Sequence, residues 1–245
     1  MKDFLLNQVC QDKMKKNILY SLLVFLPLIS AGQMQIGVHA GYNYFWFTKP
    51  TFQDYYYDYD YSKTAYSVSV SINERSVHTF NLGCELEYTH RSFEVHSVFS
   101  GLGGGNSAYF NFNLGNIYLL FKPQFVLGSK VRFFLYPGFY FGTILHSGLR
   151  GTYYSWWMGN PDSRDTINGN AVGYYPAFEF GLLAGWGIEV PVSKSLRAVF
   201  ENNLSMNLLP VGSAWGSDKI KMLSLMVKVG LAYTIPQKTR KTERK

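Results

Sequence analysis

Residues 223–235 read Leu-Ser-Leu-Met-Val-Lys-Val-Gly-Leu-Ala-Tyr-Thr-Ile. Every second residue is apolar: Leu223, Leu225, Val227, Val229, Leu231, Tyr233 and Ile235. Between them stand Ser224, Met226, Lys228, Gly230, Ala232 and Thr234. Successive side chains of a β-strand point to opposite faces, so this segment is a strand with one wholly apolar face and one small or polar face.

The same split recurs upstream. Residues 177–190 set Phe178, Phe180, Leu182, Trp186 and Ile188 against Glu179, Gly181, Gly185, Gly187 and Glu189. Residues 196–208 set Leu196, Phe200, Leu204 and Leu208, with one lapse at Asn202, against Arg197, Val199, Glu201, Asn203 and Asn207, and residues 131–145 set Phe133, Leu135, Phe139 and Phe141 against Arg132, Phe134, Tyr136, Gly138, Tyr140 and Gly142. Residues 36–47 and 77–88 follow the pattern less purely. Residues 92–102 and 110–124 are the weakest, and the phase slips near Gly115, where a bulge is expected. A soluble barrel shows Lys, Glu and Thr to water and keeps its bulky residues inside. Here the second face is rich in Gly, Asn and Ser, which suits a narrow lumen, while the apolar face carries Leu, Phe and Trp, as a lipid-facing wall would. The expected fold is all-β: an eight-stranded antiparallel up-and-down transmembrane β-barrel over residues 33–235.

Composition agrees. The chain has 245 residues, 18% aromatic and only 16% charged. Its net charge of +7 is concentrated at the ends: residues 1–32 carry +2 and residues 236–245 carry +4, leaving +1 for the body. A nucleic-acid surface is therefore not expected. Met14-Lys15-Lys16, the apolar run 18–29 and Ser30-Ala31-Gly32 have the form of a secretory signal peptide. The expected division is a leader over 1–32 (signal peptide 14–32, with 1–13 upstream of the true start), the barrel, and a basic tail over 236–245. Removal of the leader leaves Cys84 as the single cysteine, so no intramolecular disulfide is expected.

The connections alternate long and short, with short turns at 89–91, 126–129 and 191–194 and longer segments at 48–75, 103–109, 146–172 and 209–220. Outer-membrane barrels have short periplasmic turns and long outer loops, so eight strands put both termini in the periplasm. The alternating run Tyr66 to Ile72 is read as an extension inside the first outer loop, since a ninth span would break the parity.

Two sets of residues are candidates for a role. Glu87 and Glu94, Lys122 and Arg132, and Glu189 and Arg197 flank the three short turns on the polar face, which predicts a lumenal ion-pair network closing the periplasmic half. Tyr55, Tyr56, Tyr57, Tyr59 and Tyr61 in the first loop, with Trp156 and Trp157 in the third, form a candidate contact surface. His146-Ser147 with Asp162 or Asp165 is the nearest approach to a catalytic constellation, but adjacent strand residues face opposite ways. Gly101-Leu102-Gly103-Gly104-Gly105 lacks the lysine of a phosphate-binding loop, and the five histidines show no metal-ligand spacing. The expected protein is not an enzyme and needs no cofactor. Its expected partners are outer-membrane lipid and, during insertion, the barrel-assembly machinery.

The opening Gly37-Val38-His39-Ala40-Gly41-Tyr42-Asn43, the runs Phe80 to Tyr88 and Val227 to Ile235, and the strand order resemble the PorT-like outer-membrane β-barrel family over about residues 34–235. That family's middle strand commonly reads Y-L-E-I-P-L. The matching run here is Leu114-Gly115-Asn116-Ile117-Tyr118-Leu119, with Asn116 for the Glu and Tyr118 for the Pro. The resemblance implies an outer-membrane barrel; some relatives assist protein secretion across the outer membrane. The expected function is structural or partner-binding through the outer loops, the alternatives being an accessory component of a protein-secretion machine and an outer-membrane lipid-modifying enzyme.

Overall fold

A computed structural model describes residues 33–47, 56–58, 64–75, 79–101, 104–157, 160–170, 177–209 and 221–236. The expected leader (1–32) and most of the expected tail (237–245) lie outside them. The elements are β1 (Gln33–Phe47), β2 (Tyr56–Asp58), β3 (Thr64–Arg75), β4 (Phe80–Gly101), β5 (Gly104–Leu127), β6 (Arg132–Trp157), β7 (Asn160–Gly169), β8 (Phe178–Pro191), β9 (Leu196–Asn207) and β10 (Met222–Thr234).

Eight of these close into an antiparallel barrel. The order β1-β3-β4-β5-β6-β8-β9-β10 follows the chain, and β10 returns to β1 over thirteen residue pairs, from Gln35↔Thr234 to Phe47↔Met222. Closure leaves the barrel wall no free edge. The remaining two strands lie beyond the wall: β2 pairs with the far end of β4, and β7 with the far end of β6. Together with the long halves of β4, β5 and β6 they form a sheet that projects from the long-connection end.

The count of eight comes from a different set of segments than the sequence suggested. Residues 66–72, read as an extension inside the first outer loop, belong to a full barrel strand, β3, paired to both β1 and β4. Thr89-His90-Arg91, read as a turn, sits inside the unbroken 22-residue β4. One strand is gained and one division is lost. The parity shows why: Leu86, Tyr88, His90 and Ser92 alternate without a break against Glu87, Thr89, Arg91 and Phe93, and no Gly, Pro, Asn or Asp is present to turn the chain. The cluster of polar residues marks where β4 leaves the apolar belt. Likewise the segments read as loops at 103–109 and 146–172 are largely strand.

The barrel wears its apolar side chains outside. Val38, Tyr42, Val68, Val70, Leu82, Leu86, Phe125, Leu135, Leu182, Leu204, Val229 and Leu231 are all exposed, Val38 by 61%. Aromatic rings run across the outer wall, with Phe121 4.9 Å from Phe139 and Phe141 4.9 Å from Phe180. From Leu223 to Tyr233 the apolar face of β10 runs about 33 Å along the strand at roughly 3.3 Å per residue. A tilt of about 40° makes that a belt roughly 25 Å tall.

Inside, bulk is fitted against glycine. Across the β6–β8 seam Phe134 faces Gly187, Tyr136 faces Gly185 and Tyr140 faces Gly181. A Cβ on any of these glycines would overlap the ring opposite. Tyr118, Leu120, Phe134, Tyr136, Tyr140 and Leu183 belong to one buried cluster. The β5–β6 turn is made by Gly128 at φ +87°, where a side chain would also meet the Val131 carbonyl. The predicted bulge lies at the register shift between Gly115 and Asn116. The extra residue is on β6, where Leu145 falls between Ile144 and His146.

Candidate functional site in the barrel lumen

The polar face of every wall strand points inward, so each ionisable residue on it must find a partner or lose its charge. The partners form three tiers along the axis. Nearest the short turns, Glu189 stands 3.6 Å from Arg132 and 3.8 Å from Arg197. Arg197 also donates to the Lys130 and Ser129 carbonyls of the neighbouring turn, at 3.1 and 3.4 Å, and Arg75 donates to Thr234 at 2.9 Å.

The middle tier is the most completely buried. Lys122 contacts Glu85 and donates to Glu201 at 2.8 and 3.0 Å. Lys228 donates to Glu85 at 2.7 Å and pairs with Glu87. Tyr136 donates its hydroxyl to Glu201 at 2.6 Å, and its ring lies 5.0 Å from the Lys122 ammonium. Two lysines thus hold three glutamates, and none of the five is more than 3% exposed. The lysines lie on β5 and β10 and the glutamates on β4 and β9, so the tier ties opposite walls across the lumen.

The third tier centres on Glu179. Arg91 approaches it at 3.2 Å, while Asn116 and Tyr118 donate to it at 2.8 and 2.9 Å. The Arg91 guanidinium lies over the Tyr118 ring at 5.1 Å and the Phe45 ring at 5.8 Å. Between the second and third tiers is a cavity of ≈ 20 Å³, lined among others by Asn43 and Asn203, whose buried amide nitrogens have no protein acceptor. Such a space fits one water. Above the third tier the lumen turns apolar: Phe45, Phe110, Phe112, Leu114, Leu149 and Met222 are buried, and Phe93 stacks on Phe112 at 4.9 Å. Salt tiers below and an aromatic plug above fill the bore.

Of the six residues expected in a lumenal network, Glu87 and Lys122 lie in the middle tier, and Arg132, Glu189 and Arg197 in the turn-end tier. Glu94 does not join them. On the unbroken β4 it has the parity of the outer face and lies beyond the belt, opposite Asn111. The six were expected at one depth; Lys122 sits deeper than Arg132 and Glu189. Glu189 pairs in register with Val199, not Arg197, because β8 runs on to Pro191, which takes Arg197 as its partner. Its contact with Arg197 is diagonal.

Sequence reasoning missed Glu85, Glu201, Lys228, Arg91 and Glu179 as partners. Four of them were visible as polar-face residues; Arg91 was hidden in the supposed turn. Tyr55, Tyr59 and Tyr61 fall outside the described residues. Tyr56 and Tyr57 are in β2, and Trp156 and Trp157 end β6 opposite Gly105 and Gly104. The His146 ring lies outward against His90 and Tyr88, whereas the Ser147 hydroxyl donates to Asn170. The two do not form a base–nucleophile pair.

No family model matches this chain, and no curated protein matches it. Among solved structures the chain is similar to Neisserial surface protein A (14% identity, 82% of this chain and 97% of that one, TM-score 0.42). It is similar also to a major outer membrane protein from Thermus thermophilus (14% identity, 82% and 99%, TM-score 0.43) and to the attachment invasion locus protein of Yersinia pestis (11% identity, 82% and 99%, TM-score 0.38).

Proposed function

We propose that this chain is an outer-membrane β-barrel whose lumen is sealed and whose task is structural or partner-binding, carried by the sheet and connections beyond one end of the belt. One observation carries the reading: the barrel is inverted relative to a water-soluble one. Its exposed outer wall is Val, Leu, Phe and Tyr, while its buried interior holds ion pairs. In water that arrangement would leave a large apolar surface uncovered and bury charge for no gain. In a bilayer it covers the apolar wall and satisfies every strand's backbone by closure.

The filled bore argues for a platform over a channel. An eight-stranded barrel has room for little more than its own side chains, and here salt tiers and an aromatic plug occupy it. By the usual asymmetry of such barrels, the short turns and both termini face the periplasm and the projecting sheet faces out. Membership of the PorT-like family is the finer form of this proposal.

The test is reconstitution. The barrel should insert into phospholipid vesicles, run as a compact band on unheated gels and shift on boiling, yet give no stable large conductance in a planar bilayer. Steady channels would refute the sealed lumen, and failure to insert would refute the membrane reading itself.

A further inference from the structure

The apolar belt ends on β4, β5 and β6 along a single cross-strand row, His90↔Gly115↔His146. Below it lie Tyr88 and Ile117; above it lie Ser92 and Asn113, then Asn111 and Arg150. All of these face outward. Resting on the membrane reading above, we propose that this rim is a binding site for the phosphate-bearing headgroup of a lipid in the surrounding leaflet.

The rim is concave, and the concavity measures ≈ 750 Å³, within the range of small-molecule sites. Its floor is a run of stacked rings. Tyr66 and His90 lie 4.9 Å apart at 25°, and His146 lies 6.4 Å from both His90 and Tyr88, at 29° and 28°. Two backbone features build this floor. The bulge at Leu145 turns two consecutive residues, Leu145 and His146, to the outside. Gly115 then lets the His146 ring lie flat across β5, since a Cβ there would overlap it.

The chemistry of the rim is graded. Toward the belt it offers aromatic faces, which sit well at a membrane interface. Away from the belt it offers the neutral donors Ser92, Asn111 and Asn113 and then the exposed guanidinium of Arg150. Among the described residues, no ion pair or hydrogen bond engages that guanidinium. Among the described residues, no carboxylate lines the concavity; Glu94 shares the row of Arg150 but lies outside it. A ligand that fits has an apolar portion continuous with the belt and an anionic group about two residue rows above it. That describes a phosphorylated amphiphile and not a soluble anion, which would leave the aromatic floor unused. Arginine presents paired donors suited to a phosphate, and the histidines and amides supply further hydrogen bonds.

The test uses the full barrel reconstituted in phosphatidylcholine vesicles containing a minor share of phosphatidic acid, followed by native mass spectrometry of the released protein. Insertion is read separately by the gel shift. The wild type should retain phosphatidic acid in preference to phosphatidylcholine. Arg150→Ala should weaken that retention about tenfold, equivalent to about 1.4 kcal/mol. Gly115→Ala should weaken it also, by displacing the His146 ring, without changing the charge. Insertion with equal retention of the two lipids, or retention unaffected by Arg150→Ala, would overturn the site while leaving the membrane reading intact. Displacement of the lipid by inorganic phosphate at matched concentration would overturn the lipid assignment. Failure to insert would overturn the membrane reading and the site with it.

Discussion

Replacing Lys122 by Met removes one of the two cations that hold three buried carboxylates. The Lys122 side chain is 1% exposed, and the ammonium contacts Glu85 and Glu201 and has the Tyr136 ring beside it. Met is of similar volume, so the packing loss is small and the effect is electrostatic. Breaking a buried pair by removing one partner costs about 3–5 kcal/mol. The chain has one escape, which is to fold with a neutral carboxyl. Protonating an ordinary glutamate at pH 7 costs about 3.7 kcal/mol, from a pKa near 4.3 and about 1.36 kcal/mol per pH unit. The expected destabilisation is therefore about 3–4 kcal/mol. Lys122→Met combined with Glu201→Gln removes one charge of each sign, leaves Lys228 on Glu85 and Glu87, and should cost less than Lys122→Met alone. The assay is urea unfolding of the barrel in detergent micelles, followed by tryptophan fluorescence. A Lys122→Met variant within about 0.5 kcal/mol of wild type, or a double variant equal to the sum of its singles, would refute the reasoning.

Four further outcomes follow. Arg197→Ala, whose partner Glu189 keeps Arg132 and whose own contacts are partly with turn carbonyls, should cost only about 1–2 kcal/mol in the same assay; a loss as large as that of Lys122→Met would contradict the tiered arrangement. Gly187→Ala should destabilise by about 1–3 kcal/mol by forcing the Phe134 ring aside, and Gly187→Ala/Phe134→Leu should recover part of that loss in a melt. Cys84 faces outward in the belt between Leu82 and Leu86, so in a Cys10→Ser background it should react in membranes with an apolar maleimide and resist a charged one; equal rates would place it in water. Protease added to intact cells should leave a tag after Lys245 untouched; a tag accessible on intact cells would reverse the orientation.

The regular wall strands were legible because parity alone fixes them. In β8, β9 and β10 bulky apolar residues face one way and Gly, Asn and charges the other, and a one-residue slip would expose every one of them to the wrong medium. β3 was harder. Its inner face is Ala65, Ser67, Ser69 and Ser71, composition that serves equally well in a loop. The polar trio 89–91 resembled a turn because a strand leaving the belt becomes polar on both faces. The hairpin-local part of the charge arrangement could be anticipated, since Glu189 and Arg197 lie on adjacent strands. The cross-lumen pairs of the middle tier could not. Lys228 on β10 reaches Glu85 on β4 past β1 and β3, and Lys122 on β5 reaches Glu201 on β9 past β6 and β8. Such pairs depend on the diameter of the closed lumen, which no register of neighbours contains.

The placement of Lys228 also bears on the order of assembly. It lies on the last strand, 143 residues from Glu85, and β10 is the strand that joins β9 to β1. Until it docks, Glu85 lacks one of its two lysines and Glu87 lacks the lysine it pairs with, and the open sheet can keep them only while water still reaches them. Sealing the seam and neutralising the interior are thus one event, and the lumen dries when its final cation arrives. A chain ending before β10 would lack both the seam and the counter-charge, so it should stall as a hydrated, open sheet. Contacts of such long sequence separation are slow to form, which places the slow step of folding at the C-terminal strand.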